Sequence, residues 1–468
     1  MNKYLALIVA FITGTEVQAI QLAPRLVVNI TIDQLRTDYL EAFTPLYSPD
    51  GFRKLMKEGM VYDVAAYPFT PVDRASAVST IVTGTTPYYH GIISSRWLDR
   101  NTLRPVACVD DPTHFASPHR LMTSTIGDEL KVSTQGAAIV WSVAANKESA
   151  ILSAGHAANG VLWIDTDYSH WRTSTYYSAS TPEWLKSNSN IVREITKNKQ
   201  LTNDEVVDMS LKVVKGNAMG ADDVSDMLTV TLSATKADGI ATDWQTEMES
   251  VYMQLDNSVG RLMKGIEQTV GSNRVLFVVT STGYADEQES DLSQYRIPTG
   301  TFHINRTANL LNMFLTAIYG QGRYVETCFG RQMYLNHKLI EEKRISMSEL
   351  LQRSQDFLVQ NAGIADVYTS ERLLAGNNDI LKLRNGFNPS LSGDIIIEVA
   401  PGWRLQNEDT NESFTSRTGY VPFPIIFYGA GTPSGHVSIP VTVDRIAPTI
   451  AKSIRIRAPN ACATEPLF

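Results

Sequence analysis

The stretch FTPVDRASAVSTIVTGTTPYYHG, residues 69–91, decides how the rest of the chain is read. Hydroxyl and small side chains crowd it: Ser76, Ser79, Thr80, Thr83, Thr85 and Thr86 surround a short apolar segment that ends at Gly84. The Pro71-Val72-Asp73 approach followed by an Ala/Ser/Val run predicts a loop turning into a helix, with Ser76 in the first helical turn. There a hydroxyl faces the free N–H groups and the positive end of the helix dipole, a setting that suits an anion. A lone serine before an apolar run is also an ordinary helix cap, so the context of Ser76 has to carry the argument.

Working outward, residues 25–32, RLVVNITI, form a β-branched run that predicts a buried parallel strand delivering Asp33 at its C-terminal end. In open α/β sheets that edge is where ligands bind. A helix over 51–58 and a strand over 60–65 lead into the quoted stretch. Further strands are predicted at 136–142, 228–232, 275–280, 394–399 and 423–428, and helices at 242–270, 307–319 and 346–360. Strands alternating with helices predict an α/β fold with a mostly parallel central sheet covered on both faces.

The chain has 468 residues, 43% hydrophobic and 19% charged, enough for a large core. A net charge of −8 without a basic cluster excludes an electrostatic footprint for nucleic acid. Residues 1–19 carry Lys3, an apolar core over 4–12 and a small-residue Val17-Gln18-Ala19 pattern. They predict a secretory signal peptide cleaved near Ala19, followed by no transmembrane segment, and hence a periplasmic or secreted protein. Cys108, Cys328 and Cys462 cannot all pair within one chain and lack the spacing of a metal cluster.

The quoted stretch, with Ser76, Thr83-Gly84 and Pro87-Tyr88-Tyr89-His90-Gly91-Ile92, resembles the nucleophile segment of the alkaline phosphatase superfamily. The branch is that of the type I phosphodiesterases and the phosphate-irrepressible alkaline phosphatases. The likeness extends from Arg25 to about Ile454 and includes the closing 443–450 segment, VDRIAPTI. It implies a three-layer α/β sandwich occupying residues 20–468, with a strand-turn-strand over 150–165. It also implies a cap insertion over roughly residues 95–220, whose Trp163, Trp171, Tyr176, Tyr177 and Trp184 either line a pocket or pack within the cap.

The resemblance further implies two zinc ions, one lowering the pKa of the nucleophile and the other stabilising the leaving oxygen. One is held by an Asp after the first strand, the nucleophile and an Asp-His pair. The other is held by an Asp, a His four residues on, and a late His. Asp33 matches the first carboxylate and Ser76 the nucleophile. The remaining ligand positions hold Lys236, Ile240, Ser281, Thr282 and Pro422, none of which is a carboxylate or an imidazole. The phosphate-binding positions are degenerate as well: Asn146 and Glu148 stand where a Lys and an Arg are expected, and Arg96 replaces an Asn. His90 and His156 sit in structural motifs, and a new site from His114 and His119 is disfavoured by Pro118 between them.

These matches imply an exported member of the superfamily with a degenerate metal site, no cofactor, and a role as a binding or scaffold partner of an envelope protein. The alternatives are a phosphomonoesterase or phosphodiesterase using Ser76 with a divergent zinc site, and a lectin-like or nucleotide-binding receptor using the cap aromatics. Within the first reading, Lys236 is expected to fill the vacated cation site and offset Asp33 or Glu148. Asp33, Ser76 and Ser281 are expected to meet at one edge of the sheet.

Overall fold

The first apolar run is continuous because both of its faces are covered. In the computed structural model, which describes residues 23–167, 169–178, 182–191, 201–235, 244–284, 297–376, 378–415 and 421–468, this run becomes β1 (Leu26–Asp33), buried at every position. The other strands of its sheet are β2 (Met60–Ala66), β3 (Val140–Ala144), β4 (Gly160–Ile164), β5 (Trp171–Arg172), β6 (Asp226–Ser233), β7 (Val275–Ser281), β8 (Phe423–Gly429), β9 (Gly435–Val437) and β10 (Val441–Thr442). They run in the order β9-β2-β8-β7-β1-β6-β3-β4-β5, and β10 also pairs with β2. The centre, β7-β1-β6-β3-β4, is parallel, whereas β8 is antiparallel to both β7 and β2.

Strand alternation sends Val27 into one core and Leu26, Val28, Ile30 and Ile32 into the other. Each such side chain, taken fully out of water, contributes about 1.5–3 kcal/mol. The covering helices are α1 (Arg74–Thr83), α2 (Ile126–Ser133), α3 (Lys147–Ala154), α4 (Leu201–Gly216), α5 (Trp244–Val270) and α6 (Ile446–Ser453). Apolar residues of α1, α2, α3 and α6 enter the Val27 core, and those of α4 and α5 the opposite one. This is the expected three-layer sandwich.

Two expectations need correction. Residues 150–154 belong to α3 rather than to a strand, because an Ala/Ser/Ile/Leu run packs equally well in either form. Residues 95–220 do not stand apart from the sheet as a cap, since β3, β4 and β5 from that span extend the central sheet. Trp163 and Trp171 accordingly lie in the two cores, and the Tyr177 hydroxyl donates to the Gly155 carbonyl at 2.8 Å, so these aromatics are packing groups. The strand expected over 394–399 is present as Ile395–Val399, in a separate antiparallel sheet with Gln332–Leu335, Val325–Phe329 and Ile364–Thr369. That sheet shares a third core with the helices Ile304–Tyr319 and Met347–Leu358. It is tied to the main body through buried Asp394, which accepts from Arg100 Nη1 at 3.2 Å and pairs with His337 Nε2 at 2.8 Å.

Asp128 fixes α2 to the turn after α3. Its Oδ1 accepts from the His156 and Ala157 N–H groups, both at 2.7 Å, and its Oδ2 pairs with His156 Nδ1 at 3.1 Å. The bond to Asp128 raises the His156 pKa above its usual 6.5. Burial works against the Asp128 charge, but the hydrogen bonds from His156 and the backbone outweigh it and hold that carboxyl below its usual 3.8. By linkage, the imidazolium's contribution is complete below 6.5 and is lost as pH rises through the raised value. The carboxylate's contribution is complete above 3.8 and is lost as pH falls through the depressed value. Urea midpoints in the wild type should therefore fall as pH rises from 6.5 through the raised His156 value, and His156→Gln should remove that component. An unchanged profile in the variant would exclude the pair as its source.

Candidate functional site

The site begins at the C-terminal edge of β1, where Asp33 is 1% exposed. Opposite it, α1 starts after Asp73, whose extended backbone makes it an N-cap. The Asp73 and Ser76 groups form a reciprocal capping box. Asp73 Oδ1 accepts from the Ser76 N–H at 2.9 Å and from Ser76 Oγ at 2.7 Å, while the Asp73 N–H donates to Ser76 Oγ at 3.1 Å. Asp73 Oδ2 takes the Ser95 N–H at 2.6 Å, which pins the following loop to the same cap. Ser76 is fully buried, and its hydroxyl is directed at Asp73.

The residue of α1 that reaches Asp33 is Arg74. Its Nε and Nη2 both donate to Asp33 Oδ2, at 3.0 and 2.7 Å, and its Nη1 donates to Glu148 Oε1 at 3.2 Å. The guanidinium therefore lies between a carboxylate from the end of β1 and one from the first turn of α3. The other oxygen, Asp33 Oδ1, accepts from Thr282 Oγ1 at 2.9 Å, and the Tyr284 hydroxyl hydrogen-bonds the same carboxylate. Burial and the nearby Asp33 charge push the Tyr284 pKa up, which keeps it a neutral donor.

Arg74 is absent from the expected constellation, although it is the only Lys or Arg within residues 69–91. The expected counter-charge, Lys236, and the lost-ligand position Ile240 lie outside the described residues. Among the described residues, the counter-charge at both carboxylates is Arg74. Asp33 and the Ser281-Thr282 turn do meet, since Ser281 pairs with Ile32 in register. Ser281 Oγ donates to the Leu35 carbonyl at 2.8 Å, and Ser76 hydrogen-bonds neither Asp33 nor Ser281 among the described residues. Pro422 contributes its carbonyl to the Thr37 N–H at 2.9 Å. Asn146 is the N-cap residue of α3, without a side-chain cap bond, and Arg96 is exposed on the hairpin strand Arg96–Asp99.

The histidines take structural parts. Ile92 N–H donates to His90 Nδ1 at 3.1 Å, which puts the ring proton on Nε2, where it faces Thr80 Oγ1 at 3.0 Å. Burial lowers the His90 pKa to about 3, so the ring is neutral. His114 Nδ1 pairs with Thr175 and His119 Nδ1 with Ser117, so the two rings do not form a joint site. At the far end of α1, Gly84 has φ +66, and a Cβ there would come within 2.8 Å of Cys462 Sγ.

The donor set does not fit two zinc ions. Asp33 is filled by two arginine nitrogens and two hydroxyls, and Ser281, Thr282 and Pro422 offer alcohols or a carbonyl in place of carboxylate and imidazole. Among the described residues, no group of three or more His, Cys, Asp or Glu side chains could hold a metal ion.

Residues 27–421 match the type I phosphodiesterase / nucleotide pyrophosphatase family, and the chain belongs to it. Within the alkaline phosphatase superfamily it falls with the PafA-like branch. It is 23% identical to alkaline phosphatase PafA of Elizabethkingia meningoseptica, over 95% of this chain and 94% of that protein. It is 25% identical to alkaline phosphatase PhoV of Synechococcus elongatus, over 93% and 91%. The crystal structure of wild-type PafA superposes with a TM-score of 0.82 at 22% identity, covering 95% of this chain and 98% of that one, and establishes the fold.

Proposed function

We propose that the protein is an exported alkaline-phosphatase-like pseudoenzyme that serves as a binding or scaffold partner in the cell envelope. The observation that carries this reading is the Arg74 guanidinium seated on Asp33 and Glu148. In the resemblance, the nucleophile shares a metal with the Asp after the first strand. The side chain beside that Asp here is Arg74, a permanent cation with no acceptor and no nucleophilic character. Ser76 is a poor nucleophile without an activating base or metal, and its neighbour Asp73 holds it in a cap. Export is supported by the signal-like residues 1–19, and a protein partner is the remaining use for a fold whose phosphate-binding positions carry Asn146 and Glu148. Among the described residues, no helix is long and apolar enough to cross a membrane.

The test is to assay a phosphate monoester and a diester with zinc, magnesium and manganese, in wild type and Ser76→Ala, and to measure bound metal by elemental analysis. The expected result is no Ser76-dependent turnover and no stoichiometric zinc. Stoichiometric zinc together with turnover abolished by Ser76→Ala would overturn this reading in favour of a phosphoric ester hydrolase with a divergent zinc site.

A further inference from the structure

The polar character of the Asp33 site continues below the sheet edge. On the face beneath α1 and α3, β1, β6 and β3 present their side chains in rows. The deepest row is apolar: Val27, Met227 and Val140. The next holds Asn29, Thr229 and Ser142, then come Thr31, Thr231 and Ala144, and finally Asp33 beside Ser233. The opposite face of β1 and β6 is uniformly apolar over the same length.

Asn29 is 2% exposed, Thr229 3% and Ser142 1%, so this row is interior. Asn29 Oδ1 and Ser142 Oγ are buried without a hydrogen-bond partner from the protein, as is Ser149 Oγ of α3, the helix that packs on β3 and β6. Burying such groups unpaired is unfavourable, and native interiors satisfy them through protein or ordered water. No carboxylate or basic side chain belongs to the two polar rows, which rules out recognition of an ion by charge. What fits is a small neutral molecule able both to donate to an amide oxygen and to bond a hydroxyl.

We infer that ordered water is bound between the sheet and α3, hydrogen-bonded to Asn29 Oδ1 and Ser142 Oγ with Thr229 between them, as an internal hydration site beneath the Asp33–Arg74 pair. Neighbouring strands are about 4.8 Å apart, so the two atoms sit about two strand spacings across the row, farther than one water can bridge, and each takes its own water, with the Thr229 hydroxyl in the row between them.

Two measurements test it on the full chain. A crystal structure resolving ordered solvent should show density within hydrogen-bond distance of Asn29 Oδ1 and Ser142 Oγ. In solution, oxygen-17 relaxation dispersion should count fewer slowly exchanging waters in Asn29→Leu and in Ser142→Ala than in wild type. Should Asn29→Leu fail to fold, the smaller Ser142→Ala change carries the comparison. Finding both side chains bonded directly to protein with no solvent density, or an unchanged water count in folded Ser142→Ala, would overturn the inference.

Discussion

Arg74→Ala is expected to destabilise the protein by about 3–5 kcal/mol, the usual range when one partner of a buried ion pair is removed. Asp33 keeps its burial in the variant but loses two charge-assisted hydrogen bonds, and Glu148 loses its only ion pair among the described residues. Thr282 and Tyr284 still donate to Asp33, but neither neutralises its charge. Arg74→Lys should recover only part of the loss, because an ammonium cannot reproduce the planar fork that reaches both carboxylates. Urea denaturation read by circular dichroism gives the number, and combining Arg74→Ala with Asp33→Asn isolates the coupling. If Arg74→Ala unfolds at the wild-type midpoint, the guanidinium is not the structural counter-ion of the site.

The second large effect is expected at Asp73 rather than at Ser76. Asp73→Ala removes the acceptor of the Ser76 N–H, the Ser76 hydroxyl and the Ser95 N–H in one step. Losing an N-cap costs about 1 kcal/mol, up to about 2. Leaving a second part-buried N–H without its acceptor adds about 1–3 kcal/mol. A total of about 2–5 kcal/mol follows, against about 1 kcal/mol for Ser76→Ala, which keeps the backbone half of the box. Equal destabilisation by the two substitutions would show that the serine hydroxyl, and not the carboxylate, organises the helix start.

The two residues also explain what was legible in the sequence. β1 and β7 could be placed because a strand covered on both faces reads as an unbroken apolar run, and the helix after Pro71-Val72-Asp73 because its cap is local. Which side chain of that helix faces Asp33 was not legible from residue type. Successive helical residues turn by about 100°, so positions 74 and 76 point about 200° apart and only one of them can meet the sheet edge. A hydroxyl at position 76 drew attention for its chemistry, while the arginine two places earlier had the right direction. The strand at 395–399 shows the other limit: its buried, β-branched character is the same in the central sheet as in the small antiparallel one, and only long-range pairing separates the two.

Because the cation at Asp33 is a side chain, it reaches the site through a peptide bond and in fixed stoichiometry. An ion-dependent core is finished only when the surroundings provide the ion, so its half-assembled form persists wherever that supply fails. Here the positive charge and the carboxylates that need it are synthesised together, so the pairing at Asp33 and Glu148 draws no ion from the compartment.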